Sequence, residues 1–309
     1  HMEGYVDHSL DLLCTWDESS RLTGVVVNLS CPSQVGGAPH MLSADFWHEA
    51  RQELRRRFGE GLYVLPQCSP AGDQNSPHPY RKAAEQRMLQ LKGRTKRQEI
   101  AVRIADAVGE LMPWMERCIE RRVVHVHRVE NVPLTRRMVT ASEMEQAKAA
   151  LPALRAEYER ALEAAREARA AATGEQDRRW YIPPTRAYWV YNRALQVVKR
   201  YETQAARPKH TVEVHVIRLG DMATATNPFE LYLDFGIQMQ ARSPAVQTFL
   251  VQLAGPGTYL PTQRAVEGGA YGAVPASSMV GPEGGRELVN RTVELLRELW
   301  GTESEVRSA

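Results

Sequence analysis

Residues 211–226 read TVEVHVIRLGDMATAT, and this stretch decides the fold. From Thr211 to Leu219 valine alternates with polar residues, which is the pattern of a strand that buries one face. Gly220-Asp221 predicts a turn, and Met222 to Thr226 predicts a second short strand directly after it. The stretch therefore predicts two neighbouring strands with a tight connection.

The residues that follow continue this mixture of strands and helices. We expect a helix from Pro228 to Gln240, a buried strand from Thr248 to Ala254 and an amphipathic helix from Glu283 to Trp300. Gly255 to Gly285 is rich in glycine and proline and has no periodic pattern. A connection of this length inside a domain is usually functional or disordered.

The preceding residues predict a similar mixture. Leu10 to Trp16 and Leu22 to Leu29 predict a hairpin, and Leu62 to Gln67 predicts a short buried strand. Ser43 is expected to cap a helix that ends at Gly59. Two more helices and one strand are expected at 80–91, 97–118 and 122–129, and His125 and His127 fall on one face of that strand.

The segment from Ser142 to Ala172 is rich in alanine, glutamate and arginine. A narrow apolar stripe, which includes Leu154 and Tyr158, predicts a helix that packs on one face only. Pro152 predicts either a kink or the start of a second helix. With a partner helix from about Thr185 to Ala206, the segment predicts a long helical hairpin arm.

Strands interleaved with helices indicate an α/β fold, with mixed sheets layered with helices and the helical arm added. We expect three parts along the chain. Residues 3–140 form the first part of an α/β domain, 141–207 form the arm as an insertion, and 208–303 form the second part.

Composition narrows the class of protein. The 39 lysines and arginines nearly balance 37 aspartates and glutamates, which gives no charge pattern for a nucleic-acid partner. No stretch reaches the ~18 apolar residues of a transmembrane segment. The four cysteines match no zinc ribbon or redox pair, and Cys14 and Cys118 are expected to be buried thiols. The compartment and a homo-oligomeric state stay open.

Four loops combine polar residues with glycine or proline, and each directly follows a predicted strand. They are residues 28–34, 71–78, 226–230 and 257–262. Loops at strand ends are where α/β folds place their sites. Taken singly, each loop is better explained by ordinary turn chemistry.

Read together and in order, five segments resemble the neutral/alkaline non-lysosomal ceramidase family. They are Leu42-Ser43-Ala44-Asp45-Phe46, Gly72-Asp73-Gln74-Asn75-Ser76-Pro77, Leu219-Gly220-Asp221 with Pro228-Phe229-Glu230, Tyr259-Leu260-Pro261-Thr262, and Tyr271-Gly272-Ala273 with Gly281-Pro282. The resemblance covers most of the chain and is weakest across the helical arm.

The resemblance implies a zinc ion (Zn²⁺) held by two histidines, a glutamate and a tyrosine, of which Glu230 and Tyr259 match the last two. Glu230 could instead be a carboxylate at a helix N-terminus, and Tyr259 a core ring with a hydrogen-bonded hydroxyl. The resemblance also places Ser76 beside the scissile bond. Asp73 is expected to fix the loop through nearby backbone amides. His78 could carry a proton or ligate the metal.

Two positions depart from the family pattern. Where the family has a His-Pro ligand, this chain has Cys31-Pro32, so Cys31 is either a thiolate ligand of the metal or an inert small residue. The family's first zinc histidine lies upstream of Glu3. We therefore expect that the sequence lacks that upstream part or that the standard metal site is lost, and His1-Met2 has the look of a tag remnant.

The resemblance implies a zinc-dependent amidohydrolase that cleaves a linear amide C–N bond, in a lipid-like or other small-molecule N-acyl substrate. Two alternatives remain. One is a catalytically inactive protein of the same fold that binds a lipid or glycan. The other is an interaction module built on the helical arm.

Overall fold

The computed structural model describes residues 3–36, 42–76, 80–171 and 179–301. The first sheet contains β1 (Asp11–Trp16), β2 (Leu22–Leu29) and β3 (Tyr63–Cys68). β1 and β2 are antiparallel, as the hairpin predicts, whereas β2 and β3 are parallel. The hairpin turn is fixed by the Asp17 carboxylate, which accepts hydrogen bonds from the amides of Ser19 and Arg21. β3 is less buried than predicted, because Tyr63 and Leu65 are exposed.

Two helices, α1 (Phe46–Phe58) and α3 (Lys96–Met115), pack on the first sheet. Between them in the chain, α2 (Lys82–Lys92) has no buried residue. Trp47, Ala50 and Leu54 of α1 pack with α3 and the strands into one buried cluster, as their helical spacing predicts. The predicted cap at Ser43 is wrong. Asp45 caps α1 through its own carboxylate, and the Ser43 hydroxyl instead accepts a hydrogen bond from the Asp45 amide.

The second sheet has four strands, in the order β4 (His125–Thr135), β5 (Lys209–Leu219), β6 (Met222–Thr226) and β8 (Gln247–Val251). β4, β5 and β6 are antiparallel neighbours, and β6 and β8 are parallel. β4 is longer than predicted because all eleven of its residues pair with β5. Two helices, α6 (Leu233–Arg242) and α8 (Pro282–Gly301), cover this sheet and complete a second buried cluster.

The two sheets meet along β8. The Asn28 side-chain amide, at the end of β2, donates a 2.8 Å hydrogen bond to the Leu250 carbonyl. The Gln252 amide donates to the Cys68 carbonyl at 3.0 Å, and the Asn227 amide donates to the Val251 carbonyl. The carboxyl ends of four strands, from both sheets, are therefore gathered in one region.

The predicted helical arm is present. It consists of α4 (Ala141–Ala171) and α5 (Ile182–Thr203), which pack against each other. Tyr158 of α4 lies between the rings of Tyr188 and Tyr191, with centroids 5.3 and 6.4 Å away. Pro152 lies inside one continuous helix and does not start a second. The arm is inserted between β4 and β5, which are adjacent in the sheet. The division of the chain into three parts stays a prediction.

The helix expected from Pro228 starts later than predicted, because Glu230–Leu231 form a short strand, β7, before α6. The region from 255 to 285 consists of short elements joined by turns and loops. It contains β9 (Tyr259–Leu260), α7 (Gln263–Glu267), a 3₁₀ turn at Tyr271–Ala273 and the start of α8. These elements are too short to produce a periodic pattern.

All four cysteines are free thiols. Cys14 is buried as expected, but Cys118 is exposed in a 3₁₀ turn after α3, so its predicted burial is wrong. Among the described residues, no helix combines the length and the apolar composition that crossing a membrane requires.

Candidate functional site

Glu230 and Tyr259 lie side by side. β7 and β9 pair in parallel with Glu230 opposite Tyr259, and the Glu230 amide donates a 3.1 Å hydrogen bond to the Thr258 carbonyl. Burial, followed by the interaction with the Glu230 carboxylate, raises the pKa of Tyr259 well above its usual range. The phenol is therefore protonated at neutral pH. Glu230 lies on a strand and not at a helix N-terminus.

Three glycines allow other loops to approach this pair. A Cβ at Gly72 would overlap the backbone carbonyl of Glu230, and a Cβ at Gly257 would overlap the carbonyl of Pro228. A Cβ at Gly272 would lie 2.7 Å from the Tyr232 hydroxyl and 2.8 Å from the Tyr259 ring. These positions require glycine because only a residue without a side chain fits so close to another backbone or ring.

Asp73 anchors the loop that contains Gly72. Its carboxylate accepts a 2.9 Å hydrogen bond from the amide of Leu233, the first residue of α6. Burial raises the pKa of Asp73. Tyr232 lies nearby, and burial together with the Asp73 charge raises its pKa to about 12. Asp73 thus holds this loop against α6.

Ser76 and Cys31 form a second pair of neighbouring side chains in the candidate site. The Cys31 sulfur is 3.6 Å from the Ser76 hydroxyl, and that hydroxyl also hydrogen-bonds to the Pro32 carbonyl. Burial raises the pKa of Cys31, so the thiol is protonated at neutral pH. His78 lies outside the described residues.

The motifs did not single out Cys68 and Gln252. These residues connect the Glu230–Tyr259 pair with the Cys31–Ser76 pair. Gln252 is buried, and its side-chain oxygen accepts 3.0 Å hydrogen bonds from the amides of Ala71 and Leu231. Its side-chain nitrogen donates to the Cys68 sulfur at 3.4 Å. Burial raises the pKa of Cys68 to about 11, with smaller contributions from Cys31 and Glu230. The sequence did offer a signal for both residues. Cys68 directly follows the predicted strand 62–67, and Gln252 is a polar residue within the buried strand predicted at 248–254.

The described residues do not fit a complete zinc site. A catalytic zinc usually has three protein ligands and an open position. In the described part of the chain, no three histidine, cysteine, aspartate or glutamate side chains are grouped to hold a metal. Glu230 and Tyr259 supply two adjacent oxygen donors, whereas the contacts of the Cys31 thiol are with Ser76 and Pro32.

The histidines of the predicted strand have other neighbours. His127 lies on β4, with its Nε2 atom 3.0 Å from Nδ1 of His215 on β5. Nε2 of His215 is in turn 3.1 Å from the Glu213 carboxylate. This pair belongs to the four-stranded sheet.

The fold and the gathered strand ends define an α/β protein of mixed sheets with a polar centre that contains a carboxylate and tyrosines. Solved ceramidase structures have this fold. Neutral ceramidase from Pseudomonas aeruginosa superposes with a TM-score of 0.57 at 14% identity, over 95% of this chain and 47% of that chain. A ceramidase complexed with C2 gives 0.57 at 15% identity, over 95% and 48%.

The similarity predicted from the motifs is thereby confirmed at the level of the fold. The chain spans about half the length of these ceramidases. No protein-family model and no curated protein sequence matches it.

Proposed function

We propose that the protein is a hydrolase of N-acyl amide bonds in lipid-like or other small-molecule substrates, with Glu230 and Tyr259 at its reacting centre. The observation that carries the proposal is the placement of Glu230 opposite Tyr259 in the β7–β9 ladder. The motifs pointed to both residues independently, and the fold brings them together. The shared fold with ceramidases supports the same reaction class.

The chemistry of the pair suits amide hydrolysis. A protonated phenol in a partly buried site can donate its one O–H to the negative charge that develops on an amide oxygen. The Glu230 carboxylate beside it is then a candidate acceptor for the proton of an attacking water. In this proposal Asp73 and Ser76 position the loop next to the substrate.

Zinc dependence is a separate part of the proposal, and it needs its own measurement. Glu230 and Tyr259 are suitable oxygen ligands, but a complete set requires donors beyond those grouped in the described residues. Zinc content per chain, measured by mass spectrometry for the wild type and for Glu230→Gln, tests it. Equal zinc in both proteins would remove Glu230 as a ligand.

A second candidate is binding of a lipid or glycan without hydrolysis. It is favoured by Cys31, which stands where the family pattern has a histidine and which contacts Ser76. In this case the same polar centre would recognise an amide without cleaving it.

The two candidates are separated by an assay with a fluorogenic N-acyl amide, with and without added zinc. We expect Glu230→Gln and Tyr259→Phe each to lower kcat/KM by about 100-fold, the usual effect of losing one proton-transfer group or one oxyanion donor. Glu60→Gln and Tyr63→Phe are matched controls, because both residues are exposed and Tyr63 is at the end of β3 opposite to Cys68.

Hydrolysis that is unchanged in both site variants would contradict the proposed centre. Absence of hydrolysis, together with amide binding that Glu230→Gln weakens, would favour the binding function instead.

A further inference from the structure

A separate pocket lies where the arm joins the rest of the protein. It has a volume of about 370 Å³ and lies between the end of α5 and residues 275–279. Four cationic side chains line it, namely Arg136, Lys199, Arg200 and Arg207. None of the described lining residues is acidic. The pocket therefore has strong positive charge without a carboxylate in its wall.

The buried arginines are incompletely compensated. The Arg200 guanidinium donates to the carbonyls of Pro275 and Ser278 at 2.9 and 2.8 Å, which are dipoles and not charges. The Nε atoms of Arg136 and Arg200 are buried and have no hydrogen-bond partner among the described residues. Buried polar atoms of this kind nearly always have a partner.

Repulsion among these cations is visible in Arg200. Burial, followed by the neighbouring charges of Arg137 and Arg136, lowers the pKa of Arg200 to about 10. The carboxylate of Glu143, which is bound to Arg137 at 3.0 Å, offsets the charge of Arg200 only in part. A bound anion would offset this cost, because an uncompensated buried charge destabilises the folded state.

The wall of the pocket is shared with the candidate site. Thr258 lines the pocket and directly precedes Tyr259, whose amide donates a 3.1 Å hydrogen bond to the Ser277 carbonyl. Serine and threonine residues at 203, 258, 277 and 278 add polar lining to the cations. The combination of guanidinium groups and hydroxyls is typical of sites for phosphate or sulfate oxygens.

We propose that this pocket binds an oxyanion of the phosphate or sulfate class, held by the four cations at the base of the arm. Its volume lies near the lower end of the ~300–1,000 Å³ range of small-molecule sites, so a phosphate with a small organic group also fits. The oxyanion is either free in solution or part of a lipid headgroup. The proposal is independent of the hydrolase function.

Thermal unfolding with added inorganic phosphate, sulfate or chloride at equal ionic strength tests it. We expect phosphate and sulfate, but not chloride, to raise the Tm by roughly 2–5 °C, since a ligand that binds only the folded state stabilises it. Lys199→Gln with Arg207→Gln should weaken phosphate binding about tenfold by calorimetry, because charge-assisted contacts are lost. Both residues are exposed, so this variant is expected to fold.

Lys148→Gln with Arg186→Gln is the matched control. It removes the same charge from exposed positions of the same arm, outside the pocket, and should bind phosphate like the wild type. Sedimentation with vesicles of phosphatidic acid in phosphatidylcholine distinguishes a headgroup from a free anion. Phosphate that stabilises no more than chloride, or a pocket variant that binds like the control, would overturn the proposal.

Discussion

The Glu230–Tyr259 pair and the Cys31–Ser76 pair came from the same kind of sequence signal, yet the protein holds them differently. Glu230 and Tyr259 are adjacent because their backbones pair in a parallel ladder. Cys31 and Ser76 are joined by a 3.6 Å contact between their side chains. A pair imposed by the backbone survives changes in side chains, whereas a pair made by side chains alone does not. The two pairs should therefore respond differently to substitution.

The largest effect on this comparison is expected from Gly72→Ala, which should disturb the backbone around Glu230. The added methyl group would overlap the Glu230 carbonyl, so the loop or β7 must shift. Overpacking of this kind costs about 1–3 kcal/mol, which lowers the Tm by roughly 2–10 °C. Thermal unfolding measures the effect.

Two variants are controls for Gly72→Ala. At Gly61 a methyl group meets no atom within 4 Å, so Gly61→Ala should change the Tm by less than about 2 °C. On the other side of the comparison, Ser76→Ala should be equally mild. If Ser76→Ala is as damaging as Gly72→Ala, the two pairs are held equally firmly and the comparison is wrong.

The sequence predicted the parts of the fold that depend on local pattern. β2 has the predicted bounds because Leu22–Leu29 is rich in valine and leucine and is flanked by turn residues, and the helical arm follows from the one-sided stripe that includes Tyr158. β7 and β9 were missed because each has two residues. Such strands form only when distant backbones meet, so no periodicity marks them.

The candidate site could be predicted in part for a similar reason. The motifs identified Glu230, Tyr259 and Asp73, which the structure places around one centre. They did not identify Gln252, whose side chain bonds to Ala71, Leu231 and Cys68 from three other segments. Its role depends on where those backbone amides lie in space, and one sequence does not contain that information.

A smaller effect is expected at high pH. In the unfolded chain Tyr259 ionises near pH ~10, and in the folded protein its pKa is higher. Its contribution to stability is therefore present below pH ~10 and is lost as the pH rises toward the folded pKa. Tyr259→Phe should be less stable than the wild type at pH 8, and the gap in urea midpoint should narrow above pH ~10.

The control for this titration is Tyr63→Phe, because Tyr63 is 78% exposed. Its gap from the wild type should stay small, because an exposed side chain contributes little to stability. Tyr232, whose pKa is also raised, is present in every variant and cancels in the difference. A gap for Tyr259→Phe that does not change with pH would mean that burial and Glu230 do not raise the pKa of Tyr259.

The smallest effect is expected at Cys31. Burial raises the pKa of Cys31, and it raises those of Cys14 and Cys68 to about 11, so these thiols are protonated at pH ~7.5 and react slowly with iodoacetamide. Exposed Cys118 should react at least about tenfold faster, measured by mass spectrometry of peptides. Cys31→Ser should change the Tm by less than about 2 °C and kcat/KM by less than about threefold. Because a metal-bound thiolate must lose its proton, loss of zinc in Cys31→Ser would instead establish Cys31 as a ligand and place both pairs in one metal centre.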